Sequence, residues 1–282
     1  LATVVGAAAL FLMTGLPGRL NERARLLASG HDDRPATIDS CIADRADLLS
    51  CPLGASGPPT FAVWGDSHAA ALGEAVGLVA KREARSGLLY AFNACPPGAP
   101  GDNPALGYGD RKRCSKRGQL IEAQILSSSQ ITTVILIAYW QSYLSVDAPS
   151  FLNGLTTTVA RLRAADKQVI LLGNLPIPPY DVPLATALAE QFGRSIHTSY
   201  SPPRLDTRLA AVAYRTGSRM ISLAPILCPG GRCQAARAGH PIFFDNNHVT
   251  QFANRQLVAP GLERDGLFRI MQLPARAPPS AP

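Results

Sequence analysis

Charge is scarce in this chain. Only 17% of its 282 residues are Asp, Glu, Lys or Arg, a low share for a cytosolic enzyme. No internal repeat is visible, which removes solenoids and propellers from consideration. None of the cysteine couples forms a C-x-x-C, so neither a zinc ribbon nor a dithiol redox site is expected. The run Arg111-Lys112-Arg113-Cys114-Ser115-Lys116-Arg117 holds five basic residues in seven. It has no interleaved aromatic residue and no reader motif, which excludes a nucleic-acid partner. With 24 prolines and 24 glycines, long helical bundles are disfavoured as well.

What is present points outside the cytoplasm. A hydrophobic share of 46% supports one sizeable domain with attachments. The net charge of +7 favours contact with anionic lipid headgroups or anionic polysaccharide. The 111–117 run reads as a solvated loop before a helix, with membrane lipids as its sharper alternative. The six cysteines fall as three local couples: Cys41 with Cys51, Cys95 with Cys114, and Cys228 with Cys233. Pairing nearest neighbours would close surface loops without any long-range register, and disulfides persist in oxidising compartments. The opening LATVVGAAALFLMTGLPGRL carries no charge before Arg19. Residues 1–18 therefore read as the end of a transmembrane helix, since a full span needs about 20 apolar residues. A signal peptide fits less well, because no basic segment precedes the run and no small-x-small site follows it. Arg19, Arg23 and Arg25 would by themselves predict cytoplasm on this side; the cysteines outweigh them. The chain begins with Leu and reads as cut from something longer.

Along the chain, residues 19–58 read as a linker with a disulfide-closed loop, 59–268 as the catalytic domain, and 269–282 as a disordered Pro/Ala-rich tail. TFAVWG, LLYAF, ITTVILIAYW, QVILLGN and RMISLA are strand candidates, and helical spacing recurs between them. ITTVILIAYW is the strongest, β-branched and apolar as a strand buried on both faces should be. This alternation implies an α/β fold, a three-layer doubly wound parallel sheet. Such sheets carry their sites at the carboxyl ends of the strands.

Two short motifs occupy such positions. Gly65-Asp66-Ser67-His68 lies where the first of these strands turns into a helix. Ser67 at the helix start would meet free N–H groups and the positive dipole end. The bland reading makes Asp66 or Ser67 a simple helix cap. A serine hydroxyl needs a base, and His68, adjacent in sequence, points elsewhere. Asp245-Asn246-Asn247-His248 supplies the partners: an Asp three residues before a His can fix its tautomer and leave the other ring nitrogen for the serine proton. Trp140 and Tyr143 read either as core packing at a strand end or as a sugar-stacking platform. A metal site built from Asp66, His68, Asp245 and His248, as in a metallophosphoesterase, is a rival, though the further acidic and Asn/His motifs it needs are not evident.

Together the GDSH and DNNH blocks resemble the first and last motifs of the SGNH/GDSL hydrolase superfamily. With the terminal apolar helix, the cysteine couples and the run AYWQSY, the chain resembles more closely the SGNH domain fused behind acyltransferase-family-3 membrane proteins, which O-acylate cell-surface glycans. The resemblance implies Ser67 as nucleophile, His248 as general base and acid, and Asp245 as the residue that orients His248. It implies oxyanion donors from Ser67 and from Ala94, in the stretch Asn93-Ala94-Cys95 that departs from the superfamily's Gly after the second strand, and substrate contacts from Asp66, Trp140 and Tyr143. The sequence departs from the hydrolase pattern after the third strand, where Ala138-Tyr139-Trp140-Gln141 replaces Gly-x-Asn-Asp. Trp140 takes the place of an Asn whose loss as a donor typically costs about 10²–10³ in rate. The implied partners are a cell-surface glycan acceptor, an upstream acyltransferase membrane domain and membrane lipids. No bound cofactor or metal is implied; acetyl from acetyl-CoA would arrive through the upstream domain. The implied location is the periplasm, tethered to the inner membrane. A secreted carbohydrate esterase or a non-catalytic glycan-binding module are the alternatives.

Overall fold

The structure is a computed structural model and describes residues 19–42, 50–98, 108–194, 198–199 and 204–269. The expected membrane segment 1–18 and the tail from residue 270 lie outside the described residues. Among the described residues no helix is long and apolar enough to cross a membrane.

Six strands form one sheet: β1 (Cys51–Gly54), β2 (Phe61–Gly65), β3 (Ser86–Ala91), β4 (Thr133–Ile137), β5 (Gln168–Leu172) and β6 (Arg219–Ile221). Their order is β1-β3-β2-β4-β5-β6. β1 pairs antiparallel with β3, and every other pair is parallel. All residues of β2 and β4 are buried, as central strands covered on both faces must be. The period of two sorts their side chains into two cores. Phe61, Val63, Ile135 and Ile137 pack with the helix α3 (Ser67–Arg82) and the C-terminal helical run. Ala62, Trp64, Val134 and Leu136 pack against α4 (Tyr108–Ser127), α5 (Trp140–Ala164) and α7 (Arg204–Thr216). The chain leaves β2 toward β3 on one side and returns to β4 on the other. The β2/β4 boundary is thus the switch point where doubly wound sheets open a crevice.

Two expectations need correction. Residues 19–58 are not a linker: the described part, 19–42 and 50–58, is folded onto the body. α1 (Glu22–Ala28) buries Ala24 and Leu27 against Ala187 of α6 (Val182–Gln191). Thr37, in α2 (Ala36–Cys41), donates its hydroxyl proton to Ala70 O, and β1 supplies the sheet's antiparallel edge. These elements are too short for a periodicity to show, and their burial depends on partners distant in sequence. The strand read from 131 to 140 is also shorter. It stops at Ile137, and Trp140 opens α5, which bends at Asp147 (φ −145°, ψ 81°) just before Pro149. The three disulfides, Cys41–Cys51, Cys95–Cys114 and Cys228–Cys233, join nearest neighbours as expected.

Candidate active site

The turn that carries Ser67 begins with a steric constraint. At Gly65 a Cβ would sit 1.7 Å from Ile137 O and 2.7 Å from the Ala69 Cβ, so only glycine lets β2 end this close to β4. Asp66 then caps α3, its Oδ1 accepting the His68 N–H at 2.8 Å. Ser67 is the first helical residue and half-buried. Its own N–H makes no hydrogen bond to any described residue, as expected of a first-turn donor.

Asp245 and His248 come from a hairpin closed by the Phe243–Val249 bridge and by Phe244 N–H on His248 O at 2.9 Å. Asp245 Oδ1 accepts the N–H groups of Asn247 (2.8 Å) and His248 (2.7 Å), which folds the carboxylate into the turn. Its Oδ2 then meets His248 Nδ1 at 2.7 Å. His248 Nε2 lies 2.9 Å from Ser67 Oγ, although the two residues are 181 apart in sequence. Burial pushes the Asp245 carboxyl up, but the hydrogen bonds from His248 and from the Asn247 N–H outweigh it and leave it below the usual carboxylate range. An ionised Asp245 requires Nδ1–H on the ring, which leaves Nε2 as the acceptor of the serine proton.

The structure corrects the expected substrate contacts. Asp66 is 1% exposed, and besides its cap its Oδ2 accepts the Tyr139 N–H at 2.9 Å and the Tyr143 hydroxyl at 2.7 Å. Burial first, then the Asp66 charge and hydrogen bond, push the Tyr143 phenol up, so it stays protonated as a donor. Trp140 is 0% exposed, and its Nε1–H donates to Leu172 O at 2.8 Å. None of the three presents a free face to a sugar; they brace the ends of β2, β4 and β5 against one another. The packing alternative weighed for Trp140 and Tyr143 is what the fold uses.

Asn93 and Ala94, at the expected second block, are exposed beside the turn, where Phe92 N–H donates to Gly65 O. Ala94 takes a left-handed φ of 56°, a conformation that glycine adopts without cost. At the end of β5, the buried Asn174 donates its N–H and Nδ2–H to Asp206 Oδ1 and accepts the Gln141 N–H at 3.0 Å. It fixes the first turn of α5.

Sequence reasoning set His68 aside, yet it lies beneath the site. Its buried ring stacks on Tyr139 (4.6 Å), meets His248 edge-on (5.1 Å), and places Nε2 3.3 Å from Asn247 Oδ1. Burial is the main cause that lowers its pKa to about 4, with the His248 charge adding to it against the pull of Asp66. His68 is therefore neutral at pH 7. The signal for it was its place beside Ser67. No local signal pointed to Phe244, which stacks on His248 (5.5 Å), or to the Arg34 guanidinium 4.8 Å from the Phe244 ring centre. No group of three or more His, Cys, Asp or Glu able to hold a metal occurs among the described residues. Asp66 spends both carboxylate oxygens, and His68 its Nε2, on internal partners.

The fold is shared with a solved structure, the periplasmic domain of a lipopolysaccharide acetyltransferase from Salmonella ser. Paratyphi A. The match has a TM-score of 0.64 at 14% identity and covers 84% of this chain and 96% of that one; at this identity the likeness is one of fold. No match is found among curated proteins. Residues 36–260 match the family described as the SGNH domain fused to AT3 domains, and with that match spanning most of its length the chain belongs to this family.

Proposed function

We propose that this chain is the acyl-transfer domain of a membrane O-acyltransferase, moving an acetyl group onto a hydroxyl of a cell-surface polysaccharide through a Ser67 ester. The observation that carries the reading is the line Asp245 Oδ2–His248 Nδ1 (2.7 Å) and His248 Nε2–Ser67 Oγ (2.9 Å) in a chain of the SGNH family. In the first half, Ser67 Oγ attacks the acyl carbonyl while its proton passes to His248 Nε2. The oxyanion forms at the helix start, within reach of the Ser67 N–H and, on this reading, of the Ala94 N–H. Collapse expels the donor, which leaves with the proton from His248. In the second half, the acceptor hydroxyl attacks the ester, His248 takes its proton, and Ser67 recovers that proton as it departs. Asp245 stabilises the imidazolium in both halves without being protonated itself.

Three disulfides fit a location outside the cytoplasm. On this reading the domain is periplasmic and residues 1–18 tether it to the inner membrane. The acetyl group reaches it from acetyl-CoA through an upstream membrane domain, the kind of fusion the family description names. The chain itself then needs no bound cofactor or metal. The test is a fluorophosphonate probe with the adduct located by mass spectrometry. Labelling of Ser67 that disappears in His248→Ala is the expected result; an unlabelled Ser67 in folded protein with its disulfides intact would sink the reading. Water as acceptor would make the same site an esterase, and the ratio of transferred to hydrolysed acetyl in the presence of polysaccharide separates the two.

A further inference from the structure

Unmatched charge also collects at the far end of the sheet. β5 and β6 run parallel to β4, itself parallel to β2, so their first residues lie opposite the end that carries Ser67. Beside Gln168 and Ser218 there, a small cleft open to solvent is lined by Arg163, Arg219 and Arg269. Arg219 donates to the carbonyl oxygens of Asp265 and Gly266, sealing the end of the last helix. Burial and the neighbouring Arg269 charge both oppose its protonated form, and Asp265 supports it. Arg163 spends one N–H on Lys167 O at 2.7 Å, but its Nε is buried without a partner. The carboxylate of Asp265 is already engaged by Arg264 at 3.0 Å. Lys167 is turned away, its Nζ on Ser128 O at 2.6 Å.

Three arginines thus line one cleft, and the carboxylate that supports Arg219, that of Asp265, is already engaged by Arg264, an arrangement that favours entry of an anion. The guanidinium fork matches the oxygens of a phosphate group better than any other common anion except a carboxylate. We propose that Arg163, Arg219 and Arg269 form a binding site for a phosphate group, either free phosphate or the phosphodiester of an anionic lipid headgroup. The inference is independent of the chemistry assigned to Ser67.

The test uses the full chain in neutral-detergent micelles, titrated by calorimetry with inorganic phosphate and, separately, with dihexanoyl phosphatidylglycerol. Binding of phosphate alone identifies a site for the free anion; binding of phosphatidylglycerol without phosphate identifies a headgroup site. In either case Arg163→Gln and Arg269→Gln should each weaken binding about tenfold or more, the loss of one charge-assisted hydrogen bond. Lys112→Gln, which removes one charge from the distant basic run, should leave binding unchanged. The proposal is overturned if neither titrant binds, or if Lys112→Gln weakens binding as much as the arginine variants. Arg269 is exposed, so its variant keeps the test decisive even if Arg163→Gln fails to fold.

Discussion

The two halves of the candidate site are held by different means. Ser67 is positioned by the sheet: β2 and β4 meet at Gly65, and Asp66 is gripped by groups 73 and 77 residues further along the chain. Asp245 and His248 are positioned by their own turn, where one carboxylate oxygen accepts two N–H groups of the same hairpin and the other reaches the ring. Ser67 inherits the rigidity of the core, whereas Asp245 and His248 form a local device that needs only four consecutive residues and a closing bridge. His68 couples the two, reaching from the first turn of α3 to Asn247 in the hairpin. Damage to the hairpin should therefore cost chemistry and little stability, and damage to the Asp66 bracket should cost both.

The largest effects come from the reacting groups. Ser67→Ala should lower acyl transfer by about 10⁴-fold or more with a urea midpoint close to wild type, because the residue caps nothing and is half-buried. Retained transfer in this variant would falsify the assignment of Ser67. Asp245→Asn should cost roughly 10⁴-fold: the amide oxygen still accepts the turn N–H groups, but the amide nitrogen facing Nδ1 selects the wrong tautomer. A loss in kcat with an unchanged melting curve is the expected signature. A large drop in Tm instead would mean that the hairpin's fold, and not its proton chemistry, depends on the charge.

Stability effects sharpen the contrast. His68, with a folded pKa near 4 against 6.5 unfolded, makes the unfolded chain bind more protons between those values. Stability should therefore fall as pH drops from about 6.5 to 4, by roughly 3 kcal/mol. Asp245, whose pKa is depressed, contributes stability that is lost only lower, below its ordinary carboxylate pKa. Denaturation followed from pH 7 to pH 4 checks this, and His68→Gln should flatten that limb; an unaltered slope would place the acid sensitivity elsewhere. Smallest is Asp66→Asn, expected to cost about 2 kcal/mol, since an amide nitrogen must face either the Tyr139 N–H and Tyr143 hydroxyl or the His68 N–H. Because the bracket also sets the β2/β4 junction, kcat should fall about tenfold. Full activity with reduced stability would confine Asp66 to a structural role.

What was readable in the sequence follows the same division. β2, β4 and β5 stood out because buried parallel strands are continuous apolar runs, and both four-residue blocks stood out because their geometry is made within a few residues. The structure brings together Ser67, Asp245 and His248 across 181 residues, a meeting that local reading reached only by combining two motifs. The bracket around Asp66 was not legible, since a carboxylate beside a nucleophile reads as easily for substrate contact as for support. Only Tyr139 and Tyr143, delivered by another strand's end, decide it. Trp140 read equally as core packing and as a platform because aromatic residues at a strand end are ambiguous until burial is known. Residues 19–42 read as linker because short helices with mixed charge reveal their apolar side only against the partner that covers it.

Asp33 accepts the Gln251 N–H with its carbonyl and the Phe252 N–H with its side chain, so one of the first described segments holds the start of the last helical run. That run in turn reaches Ala71 O through Asn254 Nδ2 at 2.7 Å. In a chain synthesised N-terminus first, Asp33 therefore lacks these two donors until residues 251 and 252 have been made. Long-range closures of this kind slow folding. Here the timing has a chemical side effect: Ser67 is made long before His248, and the serine meets the imidazole only when the final clasp shuts.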